Sequence, residues 1–233
     1  GSILAAGSGV LRINGSALTG SSLTASRSPK IADFDPATGN YSVYTLGMAT
    51  PAAITITNVA AGTKNMQPGS YCIILAPART ATNGYNNPSK VPTAATIAAG
   101  ERIQVTAPAM DTTNGQDAWR AYGTLFATNT LGIASVQNGP FRFIRTITSA
   151  EVSTAGGTFN VEWVDAEIST NELATFNNDA PPNAEFVSQI AQYPIWVSCQ
   201  GKIPTGTSIT SPGPYILPAK PNNIEAVPLG QPP

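Results

Sequence analysis

Apolar residues alternate with small polar ones in short bursts along this chain, and turn residues separate the bursts every few positions. Ala53-Ile54-Thr55-Ile56-Thr57-Asn58-Val59 is the most regular burst, and its β-branched side chains suit a pleated surface, so a strand is predicted there. Tyr41-Ser42-Val43-Tyr44-Thr45-Leu46 alternates in the same way and predicts a half-buried strand. Gln67-Pro68-Gly69 turns the chain into the continuous apolar run Tyr71-Cys72-Ile73-Ile74-Leu75. Asn83-Gly84 is expected to supply the positive φ angles of a tight hairpin, and Asn87-Pro88-Ser89 to mark a boundary.

A second set of strands is predicted at Arg102 to Pro108, Ala118 to Phe126 and Phe141 to Ile147, with a turn at Asn138-Gly139-Pro140. Period-2 alternation in the last of these places Phe141, Phe143, Arg145 and Ile147 on one face. Ser169 to Phe176 reads as a capped helix of one or two turns. Tyr193 to Gly201 is another strand, whereas Val10 to Ile13 is a short apolar piece and Ser21 to Pro29 has no period. The tail from Lys202 is rich in proline and glycine, and Pro214 to Pro218 and Asn223 to Pro228 read as extended pieces.

Composition narrows this picture to a folded chain of strands and turns. The 233 residues are ample for a core, and 21 glycines with 20 prolines leave little room for long helices. Only 11% of residues are charged and the net charge is -1, so no field draws in nucleic acid or an anionic membrane. No stretch reaches the apolar length of a membrane-spanning helix. The ends, Gly1-Ser2 and Gln231-Pro232-Pro233, carry no closing element, so a further domain beyond either end stays open.

The absence of histidine removes Ser-His-Asp and Cys-His nucleophilic sites and His-containing zinc sites. Glu162, Asp165 and Glu167 form the only local acid cluster, with Asp165 and Glu167 expected on one strand face. Carboxylate pairs catalyse glycoside hydrolysis, but a solvated strand end is the preferred reading. Asp33 and Asp35 alternate as calcium ligands do, yet Pro36-Ala37-Thr38-Gly39 does not continue an EF-hand, so an Asx-type turn is expected. Gly156-Gly157 and Gly7-Ser8-Gly9 are turn glycines, since no phosphate-loop Lys-Ser/Thr follows them.

Trp119, Trp163, Trp196, Tyr122 and Tyr193 are candidates for a sugar-stacking platform, but each lies in an apolar strand pattern that favours the core. Cys72 and Cys199 read as buried small hydrophobes, with a disulfide between them the lesser alternative. The sequons Asn14-Gly15-Ser16 and Asn40-Tyr41-Ser42 matter only on a eukaryotic secretory route. No catalytic, cofactor-binding or metal-ligating residue is therefore assigned, and no cofactor is expected.

Gly69-Ser70-Tyr71-Cys72-Ile73-Ile74-Leu75-Ala76, with Arg79-Thr80, Asn83-Gly84-Tyr85 and Asn87-Pro88-Ser89, resembles the late strands and closing loop of fibronectin type III domains. In that family a tyrosine anchors a strand, a glycine turns the hairpin and Pro-Ser closes the module; Tyr71, Gly84 and Pro88-Ser89 stand in those places. Val105-Thr106-Ala107-Pro108, Asp111 and Asp117 to Thr124 resemble the opening of a following module in tandem β-sandwich proteins of tailed-bacteriophage virions. Trp196 to Gly201, Gly213 to Ile216 and Pro221 to Ala226 are similar to segments that lead into propeller-like domains of such tail proteins.

The resemblance implies an all-β chain of Ig-like or fibronectin-like sandwiches: an extended arm or accessory strands over 1–50, a sandwich unit over 51–100, a divergent second unit over 101–190, and a C-terminal strand and tail over 191–233. It implies a non-enzymatic structural component of a phage tail, collar or head-to-tail connection. Its partners would be its own copies in a symmetric oligomer and neighbouring virion proteins, with Tyr71, Trp119 and Trp196 as core anchors. The alternative is a secreted or cell-surface carbohydrate-binding or adhesion module.

Overall fold

A computed structural model describes residues 2–6, 9–13, 16–23, 29–60, 62–89, 92–128, 131–154, 156–190, 193–197, 199, 201–202, 208–209, 216–220, 223–224 and 226–227. In chain order the strands are β1 (Ser2–Ala5), β2 (Gly9–Ile13), β3 (Ser16–Leu23), β4 (Lys30–Asp35), β5 (Asn40–Thr45), β6 (Thr55–Ala60), β7 (Gly69–Arg79), β8 (Gly84–Tyr85) and β9 (Thr93–Ile97). They continue as β10 (Glu101–Thr106), β11 (Ala118–Gly123), β12 (Arg142–Thr148), β13 (Thr158–Val161), β14 (Phe186–Ile190), β15 (Tyr193–Val197), β16 (Gly201–Lys202), β17 (Ser208–Ile209) and β18 (Ile216–Pro218). Two short helices, α1 (Ser149–Thr154) and α2 (Asp165–Ile168), flank β13. The chain is all-β, as its alternating pattern predicts.

The central strand is β7. It pairs with β11 along one edge and with β8 and β9 along the other, and every one of its 11 residues is buried. Tyr71, Ile73 and Leu75 face the main core, whereas Cys72, Ile74 and Ala76 face a second cluster with Tyr122, Val136 and Phe141. Burial on both faces is why this strand reads as a continuous apolar run.

The order β12-β11-β7-β8, with β9 also paired to β7, makes one five-stranded sheet of a sandwich, and β13-β10-β6 makes the other. Ile103 and Val105 of β10, beside Val161 and Phe159 of β13, meet Tyr71, Leu75, Trp119 and Trp163 across the interior. Strands from 51–100 and 101–190 thus interleave, β6 with β10 and β7 with β11, around one shared core. The expected division near residue 100 is replaced by this single sandwich. Neither stretch alone has two sheets whose apolar faces could cover each other. Asn87-Pro88-Ser89 is correspondingly no boundary, because Ser89 is fully buried and donates its N–H to the Leu75 carbonyl at 2.9 Å.

Three further local expectations change. At Asn83-Gly84 only Asn83 takes a positive φ, 51°, and a short 3-10 turn at Thr80–Thr82 precedes it. The chain after α2 is not the predicted helix: Leu173 bridges Arg142, and Phe143 N–H donates to the Glu172 carbonyl at 2.9 Å. Within β12 the alternation breaks, because Arg145 pairs Ala121 while Phe143 pairs the adjacent Tyr122. This bulge leaves Phe143 beside Tyr122 on the outer face and turns Ile144 and Ile147 towards the main core.

The two flanks come together in a second, smaller unit. Sheet β1-β4-β5 supplies the cross-strand row Leu4, Ile31 and Tyr44, and sheet β14-β15-β18 supplies the row Val187, Trp196 and Leu217. These rows share one core with Leu46, Ala184, Cys199 and Val227. Over 1–50 an extended arm or accessory strands were expected, and over 191–233 a C-terminal strand and tail; the described parts of both flanks form strands that pack on each other, since each sheet has an apolar row that needs a cover. β2 and β3 form a separate hairpin, and β16 pairs only with β17.

Candidate functional site

The acid cluster lies at one end of the sandwich, in a cleft of about 390 Å³ lined by Lys64, Ile144, Arg145, Asn160, Glu162, Glu167, Ile168 and Asn171. Glu162 leaves β13 and accepts hydrogen bonds from Thr63 N–H and Thr63 Oγ1, both at 2.7 Å, and from Lys64 N–H at 2.9 Å. Arg102 stands 4.0 Å away. Glu167 pairs with Lys64 Nζ at 2.6 Å, and Asp165 accepts the Phe126 N–H through both oxygens at 3.0 and 3.1 Å. Asp165 and Glu167 sit in the first turn of α2, so they diverge to different partners and do not share the strand face expected of them.

This wiring decides the electrostatics. Desolvation acts to raise the Glu162 pKa, but the Lys64 and Thr63 donors and the Arg102 charge outweigh it and hold the carboxyl below its ordinary value. The Lys64 hydrogen bond, against a smaller desolvation effect, likewise holds Glu167 low. A glycosidase-type pair needs one carboxyl raised so that it can donate a proton. Glu162 and Glu167 are both shifted the other way, and they act as tethers for the loop after β6.

The remaining candidates resolve into structure. Asp35 accepts from Ala37 N–H at 2.9 Å and Thr38 Oγ1 at 2.8 Å, which is the expected Asx-type turn. Among the described residues no three His, Cys, Asp or Glu side chains gather in a way that could hold a metal ion. Trp119, Trp163, Trp196 and Tyr122 are all buried, and none presents a ring to a sugar. The Tyr193 side chain, Asn14 and Gly7-Ser8 lie outside the described residues, while Asn40 opens β5. Gly156 and Gly157 take φ of 69° and 90°, as turn glycines do. Cys72 and Cys199 are free buried thiols, each pushed up to about 11 by desolvation and therefore protonated at neutral pH.

Two features escaped the sequence reading. Arg120, on the outer face of β11, lies 4.5 Å from the Tyr85 ring centre and 4.4 Å from that of Phe143, and it donates to Tyr122 Oη at 3.0 Å and to Glu172. Nothing local marks that arginine, because its aromatic partners come from three strands. The second is the outer face of β14-β15-β18, where Phe186, Val197 and Ile216 form one cross-strand row beside Ile195 and Pro218. Phe186, Ile190 and Ile216 remain 63%, 65% and 61% exposed, and the three strands contain no charged residue. The period-2 pattern of Phe186-Val187-Ser188-Gln189-Ile190 was the available signal, with apolar residues at both ends of the outward set.

No family model, curated protein or solved structure matches the chain.

Proposed function

We propose that this chain is a non-catalytic structural subunit of a bacteriophage virion, in a tail, collar or head-to-tail connection, which assembles with copies of itself through sheet faces. The observation that carries the reading is the charge-free outer face of β14-β15-β18, with Phe186, Ile190 and Ile216 uncovered in one surface. Monomeric proteins rarely leave more than a few hundred Å² of contiguous apolar surface exposed. An uncharged face offers nothing to a charged partner, and a net charge of -1 imposes almost no repulsion between copies, so a second copy is the occupant it fits. The likeness to Ig-type and fibronectin-type modules is one of architecture: two packed antiparallel sheets, and Tyr71 Oη donating to the Gln67 carbonyl four residues upstream at 2.9 Å, as a tyrosine corner does.

Sedimentation velocity over a concentration series tests the reading. Self-association of the wild-type chain is expected, and it should be lost in the double variant Phe186→Asp/Ile216→Asp while the circular dichroism spectrum is kept. A monomer at every soluble concentration, especially one that retains a glycan column, would favour the carbohydrate-binding module instead. The burial of all three tryptophans argues against that second reading.

A further inference from the structure

Lys220 follows β18 and turns its side chain away from the smaller unit, onto the segment 175–179. Its Nζ donates to Asn178 Oδ1 at 2.7 Å, to Thr175 Oγ1 at 3.5 Å, and to Asn177 Oδ1. The ammonium is thus surrounded by uncharged oxygens, two of them from carboxamides. The Asn178 carboxamide is pinned, because its Nδ2 donates to Thr175 O at 2.9 Å and Thr175 Oγ1 at 3.0 Å. Asn177 has no such restraint among the described residues and meets Lys220 through its oxygen. Asp179 accepts from Asn87 Nδ2 at 3.1 Å, and its negative charge favours the charged form of Lys220.

We propose that Lys220 and Asn177 condense into an intramolecular isopeptide bond. The Lys220 ammonium gives one proton to water, and the freed Nζ lone pair attacks Asn177 Cγ. The new Cγ–Nζ bond forms as the Cγ–Nδ2 bond breaks, and a second Nζ proton passes to the departing nitrogen, which leaves as ammonia and takes up the released proton. One ammonium and one carboxamide become one secondary amide and one ammonium ion in water, so the step needs no oxidant and no second reactant. Partial burial weakens the hold of Lys220 on its proton more than Asp179 strengthens it, which favours the nucleophilic form.

The bond would join two parts of the chain that already meet through hydrogen bonds. Asn178 N–H donates to Asn87 Oδ1 at 2.7 Å, and Asn86 Nδ2 to the Asn178 carbonyl at 3.1 Å, so the 175–179 segment is already fastened to the edge of the large sandwich. On the other side, Lys220 N–H donates to the Ala226 carbonyl at 2.9 Å, and Val227 bridges Asp179. A covalent tie at Lys220 would lock the C-terminal strands of the small unit to the large one.

Intact-mass spectrometry of the folded wild-type chain should show the loss of one ammonia, and a digest should contain a branched peptide joining Lys220 to Asn177. Lys220→Arg and Asn177→Ala, each checked for native circular dichroism, should restore the unshifted mass, whereas Asn178→Ala should keep the bond. A full unshifted wild-type mass would overturn the proposal. So would an ammonia loss that maps to a linear peptide at Asn83-Gly84 or Asn138-Gly139, where an asparagine can close on the next backbone nitrogen.

Discussion

The three tryptophans share burial and differ in what meets the indole N–H. Trp163 donates to the Thr124 carbonyl at 3.1 Å, while Trp119 Nε1 and Trp196 Nε1 are buried with no partner among the described residues. Phenylalanine removes the same atoms at each position, and the two sites differ in the hydrogen bond that Trp163 makes and Trp119 lacks. Trp163→Phe strands a buried carbonyl and is expected to cost about 1 kcal/mol more than Trp119→Phe, measured by urea denaturation. Equal losses would show that the Trp163 bond contributes nothing net. The apolar setting of each tryptophan was plain from its neighbours in sequence, but Thr124 is 39 residues from Trp163, and only the fold brings its carbonyl there.

At the level of elements, local pattern and tertiary pairing agree where a strand has one buried face, and disagree where the sheet imposes an irregularity. β10 follows its alternation because it has a core on one side, whereas β6 sets only Ile56 against the core. The Ile144 bulge in β12 had no signature, since it arises from mismatch with Tyr122 on the partner strand. The predicted helix over 169–176 fails because its backbone groups find sheet partners: Ala174 N–H reaches the Phe141 carbonyl at 2.8 Å, and one isolated helical turn cannot compete with that. The helix that does form, α2, starts earlier, with Asp165 and Glu167 at its positive end.

The Glu162 tether makes a pH prediction at the same scale. Its folded-state pKa lies below the ordinary 4.5, so its contribution is fully present above that value and is lost as pH falls through the lower folded-state value. Wild-type denaturation midpoints should therefore drop in that acid window relative to neutral pH. Glu162→Gln should start lower at neutral pH and show a smaller drop. Parallel pH curves for the two chains would remove the tether from the account.

For the molecule as a whole, several polar contacts cross the junction between the two units. Met48 N–H donates to Asn86 Oδ1 at 2.8 Å, Tyr85 N–H to Asn223 Oδ1 at 3.2 Å, and Asn223 Nδ2 to the Tyr85 carbonyl at 2.8 Å. Gly47 lies at this junction with φ of 94°, and a Cβ there would fall 2.1 Å from Ala180 Cβ. Gly39 has a similar φ of 71° but open space around it. Gly39→Ala should cost about 1 kcal/mol through backbone strain alone. Gly47→Ala adds a clash worth roughly 1–3 kcal/mol more, read as a larger drop in thermal midpoint. Equal effects would mean that the junction opens without cost and that the units are coupled only through the chain.

The sequence by itself determined the class of the protein and most of its strands, because alternation, β-branching and turn residues are local and each acts within a few positions. It also placed the tryptophans, cysteines and Tyr71 inside, since their immediate neighbours are apolar. Only the tertiary structure decided which strands pair. That choice merged two expected sandwiches into one, folded both flanks onto each other, and left the face of Phe186, Ile190 and Ile216 uncovered. It also carried Lys220 across 43 positions to Asn177. Pairing depends on how well whole sheet faces cover one another, a property of distant segments together that no short window of sequence contains.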